Sequence, residues 1–188
     1  QIDNKELNSY RKKLDFIERS ILAYENIRTI NKERAIQIIN KLLYNNFLGI
    51  SEDSERGLRA YIVKFDENLK YRLIVYYEDT YKGILTEIKE SGEFDQKKEE
   101  GMNDELIEEN IKIKIRAPNS TGQGKVLALS FVQSILEYSS SNKSDDEFMI
   151  IKDYPIIIDA PFTEIFGKNL DNLSKRIRDF SKQVILML

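Results

Sequence analysis

The stretch Tyr154-Pro155-Ile156-Ile157-Ile158-Asp159-Ala160-Pro161-Phe162 decides how this chain reads. Bulky apolar residues run unbroken to a single carboxylate, the pattern of a central strand buried on both faces whose last residue emerges at a functional edge. Upstream stands Asn119-Ser120-Thr121-Gly122-Gln123, followed by Val126, Leu127, Ala128, Leu129, Phe131, Val132, Ile135 and Leu136. That series predicts a helix buried on most faces. The N-terminus of such a helix offers unpaired N–H groups and the positive end of its dipole, and small residues there let a phosphate approach closely. Each motif has a plainer reading alone: Ser120 as an ordinary helix N-cap, Asp159 as a capping residue at a strand-to-loop turn. Their order and spacing carry the joint reading.

On these residues, the segment from Asn119 to Leu188 resembles the C-terminal lobe of ABC-type ATPase heads of the SMC class, which includes chromosome-maintenance and break-repair ATPases. Ser120, Gly122 and Gln123 match the signature motif of that class, with Asn119 where Leu is usual, and Ile156 to Asp159 match its Walker B strand. The Asp-Ala-Pro-Phe version is similar to bacterial defence relatives such as the DNA-sulfur-modification ATPase and the SMC-like subunit of Lamassu systems. The resemblance implies an α/β fold: the C-terminal lobe of a P-loop ABC-type head, a mixed sheet with flanking helices, and an N-terminal coiled-coil-type helix. It also implies ATP and Mg2+ as cofactors. Asn119, Ser120, Thr121, Gly122, Gln123, Gly124 and Lys125 would form the signature motif, with Ser120 and the backbone N–H groups from Gly122 to Lys125 meeting the γ-phosphate of ATP held by an opposite head. Gln123 would shape the loop or meet the ribose, and Asp159 would help hold the metal through water.

Two departures from the family pattern bear on catalysis. Many relatives place a glutamate directly after the Walker B aspartate, and this chain has Ala160 there. Glu164 is the nearest spare carboxylate and hence the candidate catalytic base, although a surface residue would read the same way. The loop Thr163 to Asn169 also lacks the aspartate usual in the family.

No Gly-x-x-x-x-Gly-Lys-Ser/Thr loop occurs, so nothing in the chain can wrap the β- and γ-phosphates, and Gly122-Gln123-Gly124-Lys125 has the wrong spacing for one. The chain starts at Gln1 and stops after the apolar run Gln183 to Leu188, which relatives follow with a switch histidine. The expectation is an incomplete ATPase, inactive alone and active as part of a complete head dimer. The resemblance implies as partners an N-terminal lobe carrying Walker A, a second head in a homodimer, DNA, and a nuclease or effector subunit. The implied function is ATP binding and hydrolysis between engaged heads, coupled to DNA binding or sensing in bacterial antiphage defence or DNA repair, in the cytoplasm. A non-hydrolysing module that assembles a complex on ATP is the rival. A transporter ATPase fits poorly, since those carry the whole head in one compact chain without a heptad helix leading in.

Composition sets outer limits. With 188 residues, 41% hydrophobic and 32% charged, the chain has core enough for one domain plus a helical extension, and a lobe without its partner would leave part of a sheet exposed. The absence of cysteine and histidine excludes disulfides, thiol catalysis, His-based triads and most zinc sites. No run of about 18 apolar residues is present to predict a membrane span.

Along the N-terminal third, Leu7, Tyr10, Leu14, Ile17, Ile21 and Tyr24 alternate by three and four, the heptad spacing of a coiled-coil seam. A helix packed on its own domain gives the same stripe; the head resemblance favours residues 1–30 as the end of a returning coiled-coil helix entering a lobe over 31–188. The seam falters at Arg28 and Asn31, and Ala35, Ile38, Ile39, Leu42, Leu43 and Phe47 continue the helix toward a stop at Gly49. Strands follow at Arg59–Phe65 and Tyr71–Tyr77, with Asp66, Glu67 and Asn68 as a hairpin turn. Thr86 to Glu109 carries ten acids against three lysines, a net of −7 in a chain of net −3, and reads as a solvated loop insertion over about 86–109. Finally, Ile111, Ile113 and Ile115 alternate with Lys112, Lys114 and Arg116, predicting a strand with a basic outer face.

Overall fold

The computed structural model describes residues 4–64, 71–118, 120–141 and 155–187, and has a mixed α/β architecture. Contacts divide it at Ile38–Ile39 into two units.

The described residues of the first unit are helical and belong to α1 (Asn4–Ile50). Its heptad residues Tyr10, Leu14, Ile17, Ile21 and Tyr24 are all more than half exposed, as are Phe16, Leu22, Ile27 and Ile30. Large apolar side chains in that number on one helix leave a face for which the unit itself supplies no cover. Asp15 and Arg19 form an i,i+4 ion pair at 3.0 Å among them.

The second unit begins with the last turns of α1, where exposure falls to zero at Leu43, Phe47 and Ile50. After the 3-10 turn Glu52–Arg56, which Gly57 ends at φ +79°, strands β1 (Leu58–Lys64) and β2 (Tyr71–Tyr77) pair antiparallel, Leu58 opposite Tyr77. The expected strands are there; the hairpin turn Asp66–Asn68 lies outside the described residues. Asn40 shields the outer edge of β1, its amide donating to the Ile62 carbonyl (3.2 Å) and accepting from the Ile62 N–H (2.7 Å). A buried asparagine on α1 thus satisfies strand groups that would otherwise be left open.

Three helices follow: α2 (Glu78–Glu90), α3 (Glu93–Glu99) and α4 (Asp104–Lys114). The acidic loop expected over 86–109 is therefore helical, and so is the strand expected at Ile111–Ile115. Ile107 and Ile111 lie one turn apart and, with Phe94, form a small core against which Tyr81, Ile84, Leu85, Ile88, Met102 and Ile115 pack. Burying those apolar residues outweighs the charge repulsion among acids that point to water. Asn103 caps α4 by accepting from the Leu106 amide at 2.8 Å, and Gly92 and Gly101, both at positive φ, separate the helices.

On α4, Lys112 is 5% exposed and sits in a box of tyrosine rings, its Nζ 4.1 Å from the Tyr61 centroid, 4.8 Å from Tyr81 and 5.9 Å from Tyr76. Glu108 pairs with it at 3.5 Å. Burial pushes the Lys112 ammonium below its ordinary pKa despite the acids around it, and burial pushes the Tyr76 hydroxyl up to about 12. The basic face expected of this segment is thus partly interior.

Beyond α4, Arg116 bridges to Tyr76 on β2 and the Ala117 amide donates to the Val75 carbonyl (2.7 Å), which leads the chain into α5 (Thr121–Ser141). Val126, Leu127, Ser130, Gln133, Ser134 and Leu136 are buried, and among the described side chains exposure is confined to a narrow stripe through Thr121, Ala128 and Val132, so α5 is covered on most of its faces, as its sequence predicts. Asn46 of α1 donates to Ser134 Oγ at 3.1 Å.

Strand β3 (Ile156–Asp159) pairs in parallel with β4 (Val184–Met187), joined through α6 (Gly167–Arg176) and a short 3-10 turn at Ile177–Asp179. A parallel pair needs such a crossover. The fully buried strand expected here is not observed: Ile157 is 61% exposed, Ile185 41% and Met187 49%. Among the described residues the sheet has these two strands, too few to bury both faces. Among the described residues, no helix is long and apolar enough to cross a membrane.

Candidate functional site

The open end of α5 is built by Ser120. Its hydroxyl accepts from the Gln123 amide (3.2 Å) and its carbonyl from the Gly124 amide (2.9 Å), so Ser120 is the N-cap of this helix. Two of the amides expected to face a phosphate are therefore already engaged within the turn. The donors left at this end are the Ser120 hydroxyl and the N–H groups of Thr121 and Gly122, which precede the first intrahelical bond.

Gly122 is pressed against the loop that follows β3. A Cβ built on it would stand 2.3 Å from the carbonyl oxygen of Glu164, so backbone occupies the space that any other side chain would need. That loop is unusual in its own right: Ala160 at φ 43° and Glu164 at φ 65° both hold the left-handed conformation that favours glycine. Lys125 clamps it from the side, donating to the Thr163 carbonyl at 2.9 Å and pairing with the Glu164 carboxylate at 3.4 Å. Glu164, read from sequence as a candidate base, is thus the ion-pair partner of another predicted site residue.

Between these elements lies an open cleft of about 490 Å³, lined by Glu52, Asp53, Ser120, Thr121, Gly122, Gln123, Glu164, Ile165, Phe166 and Asn169. Its charges oppose one another. The α5 terminus favours an anion, whereas Glu52, Asp53 and Glu164 bring carboxylates and no lining residue brings a cation. An anion bound here needs a counter-charge from outside this lining. Phe166 projects at its edge, 77% exposed, at the N-cap position of α6, where it makes no side-chain capping bond.

Gln123 lies along the wall of the cleft. Its side chain is 8% exposed and donates to Asp53 Oδ2 at 3.1 Å, across 70 residues of sequence. Asp53 carries no motif, and no sequence signal marks it.

Asp159 is exposed at the C-terminal end of β3, where the Ala160 amide donates to the Met187 carbonyl at 2.8 Å. It does not line the cleft. Among the described residues no group of three acids, histidines or cysteines could hold a metal ion. One exposed carboxylate fits a magnesium ion that keeps its waters and leans on phosphate oxygens, not one caged by protein. Asn119 lies outside the described residues.

No protein-family model matches the chain, and no curated protein matches it in sequence. Among solved structures, it is similar to the Smc head domain with a coiled coil and joint derived from Pyrococcus yayanosii, with 16% sequence identity and a TM-score of 0.49 over 97% of this chain. The chain spans 28% of that protein's length.

Proposed function

We propose that the chain is the C-terminal half of an SMC-like ATPase head, whose α5 terminus meets the terminal phosphate of an ATP held by a second head. The observation that carries this reading is the Ser120-capped end of α5, opening on a cleft with its glycine seated on the loop that follows the Asp159 strand. The Ser120 hydroxyl and the Thr121 and Gly122 amides are the groups that would hold the phosphate. A bound magnesium ion would neutralise charge on the transferring phosphoryl group, and Asp159 is the residue that would help hold it. The acidic lining of the cleft supports a division of labour in which positive charge comes from the Walker A lobe of the opposite head, a homodimer partner. The exposed stripe on α1 supports a coiled-coil partner helix, and the exposed faces of Ile157, Ile185 and Met187 support further strands from the N-terminal lobe. Coupling to DNA and to an effector subunit, in antiphage defence or repair in the cytoplasm, rests on the motif resemblance alone.

A second reading, ATP-dependent assembly without hydrolysis, is favoured by Ala160 and by the engagement of Glu164 with Lys125. Turnover of Mg-ATP by the complete protein, with and without DNA, separates the two. With hydrolysis, Ser120→Arg abolishes turnover while nucleotide binding persists. Unchanged turnover in that variant would remove the assignment of the α5 terminus, and binding without turnover in the native protein would select the assembly reading.

A further inference from the structure

Resting on the nucleotide reading of the cleft, we infer that Asp53 is a positioning residue for the phosphate-facing end of α5, acting through Gln123. The links are consecutive. Ser120 Oγ accepts from the Gln123 amide, and the Gln123 side chain donates to Asp53 Oδ2 at 3.1 Å. The other oxygen of Asp53 faces Arg56 at 3.5 Å, and its own amide donates to Ser51 Oγ at 3.2 Å. The Asp53 side chain is 18% exposed, so these contacts fix its orientation in a site that water screens poorly.

Asp53 belongs to the 3-10 turn that ends α1, and the same turn is held from a second side. The Glu52 amide donates to Asn169 Oδ1 at 2.6 Å. The first turns of α5 and α6 are therefore both tied to one short segment. Gln123 is half of this device: a residue in the middle of the signature turn lies along the cleft wall with its side chain anchored to the turn after α1. A hydrogen bond to a charged group is worth about ten- to hundredfold in an equilibrium when it is broken. Released, Gln123 no longer holds the first turn of α5, and the Ser120 hydroxyl and the Gly122 amide lose their fixed aim without losing any contact to nucleotide.

The test uses the complete protein: steady-state Mg-ATP turnover, mant-ATP binding by fluorescence, and circular dichroism to verify folding. Asp53→Ala should lower kcat about tenfold without weakening mant-ATP binding, because that binding comes mainly from Walker A and loss of a cleft carboxylate does not repel the phosphates. Asp53→Asn keeps an acceptor for Gln123 and should restore most of the rate. Gln123→Ala should match Asp53→Ala, and the double variant should lose no more than either single one. Unchanged kcat in Asp53→Ala, losses that multiply in the double variant, or an Asn variant as slow as the Ala variant would each overturn the inference. If the native protein neither binds mant-ATP nor turns over ATP, the nucleotide reading itself fails, an outcome distinct from a working enzyme indifferent to Asp53.

Discussion

Two glycines two residues apart in α5 should respond in opposite ways to the same methyl group. At Gly124 an added Cβ meets nothing within 4 Å, and alanine there gains about 0.5–1 kcal/mol from its better helix propensity. At Gly122 the same Cβ lands 2.3 Å from the Glu164 carbonyl oxygen, where 3.0 Å is the closest a real Cβ comes, so that carbonyl must retreat by about 0.7 Å. The carbonyl is backbone, in a loop already bent through left-handed conformations at Ala160 and Glu164 and clamped by Lys125. Overpacking of this kind costs about 1–3 kcal/mol. The helix term is common to both variants and cancels in their difference, which leaves the clash alone. For a chain of this size about 1 kcal/mol shifts Tm by roughly 2–4 °C, so Gly122→Ala should melt roughly 2–12 °C below Gly124→Ala. Thermal and urea unfolding of the two variants alongside the native protein measure this directly. Equal melting temperatures would mean that the β3–α6 loop does not rest on the α5 terminus, and the site as described would fall with that contact.

Glu109 is 8% exposed, and burial holds its carboxyl above the ordinary carboxylate range, although the Lys64 amide donates to it. The sign follows from linkage: a carboxyl whose pKa is raised on folding binds more protons in the folded state, so its penalty is full above the folded pKa and fades as pH falls toward the unfolded value near 4.3. Glu109→Gln should therefore be more stable than the native protein at pH 7, with the gap closing by about pH 4; urea unfolding at several pH values checks it, and a native protein more stable at pH 7 would contradict it. Arg59 pairs with Glu78 at 2.7 Å, each about 15% exposed, and its guanidinium also lies over the Tyr44 ring and donates to the Ser54 carbonyl. Arg59→Leu takes from Glu78 its buried cation and leaves it Lys82 at 3.0 Å and the Tyr44 hydroxyl, and should cost about 1.5–3 kcal/mol in denaturant unfolding, whereas a loss under 1 kcal/mol would show that Lys82 suffices as its counter-ion.

Where one periodicity ruled a segment, sequence was enough. The hairpin strands and the strand ending at Asp159 follow from single, unopposed patterns, and the helix through Gly49 from two successive stripes that share a helical spacing. Residues 104–115 carried two. Ile111, Ile113 and Ile115 alternate like a strand, while Ile107, Ile111 and Ile115 recur every four like a helix. The helix prevails because Phe94 and the isoleucines of α2 give its stripe something to pack on. Asn103, three residues before Leu106, was the local signal for that helix. At the site, Ser120 and Gly122 were legible because capping and close approach are properties of a residue type. The long-range partners of this turn were not: Asp53 reaches Gln123, and the Glu164 carbonyl reaches Gly122, only through long-range packing, and a carbonyl has no sequence signature at all.

The tyrosine box around Lys112 makes one amine of this lysine-rich chain chemically silent. Reagents that acylate lysine need an unprotonated nitrogen that they can touch. Burial lowers its affinity for the proton, yet at 5% exposure it offers no approach, so reactivity depends on opening rather than on basicity. Once α4 lifts from the hairpin, the ammonium returns to water and joins the ordinary surface lysines. Lys112 is thus a built-in reporter of how often the acidic three-helix module detaches from the sheet beneath it, readable by peptide mass without any added probe.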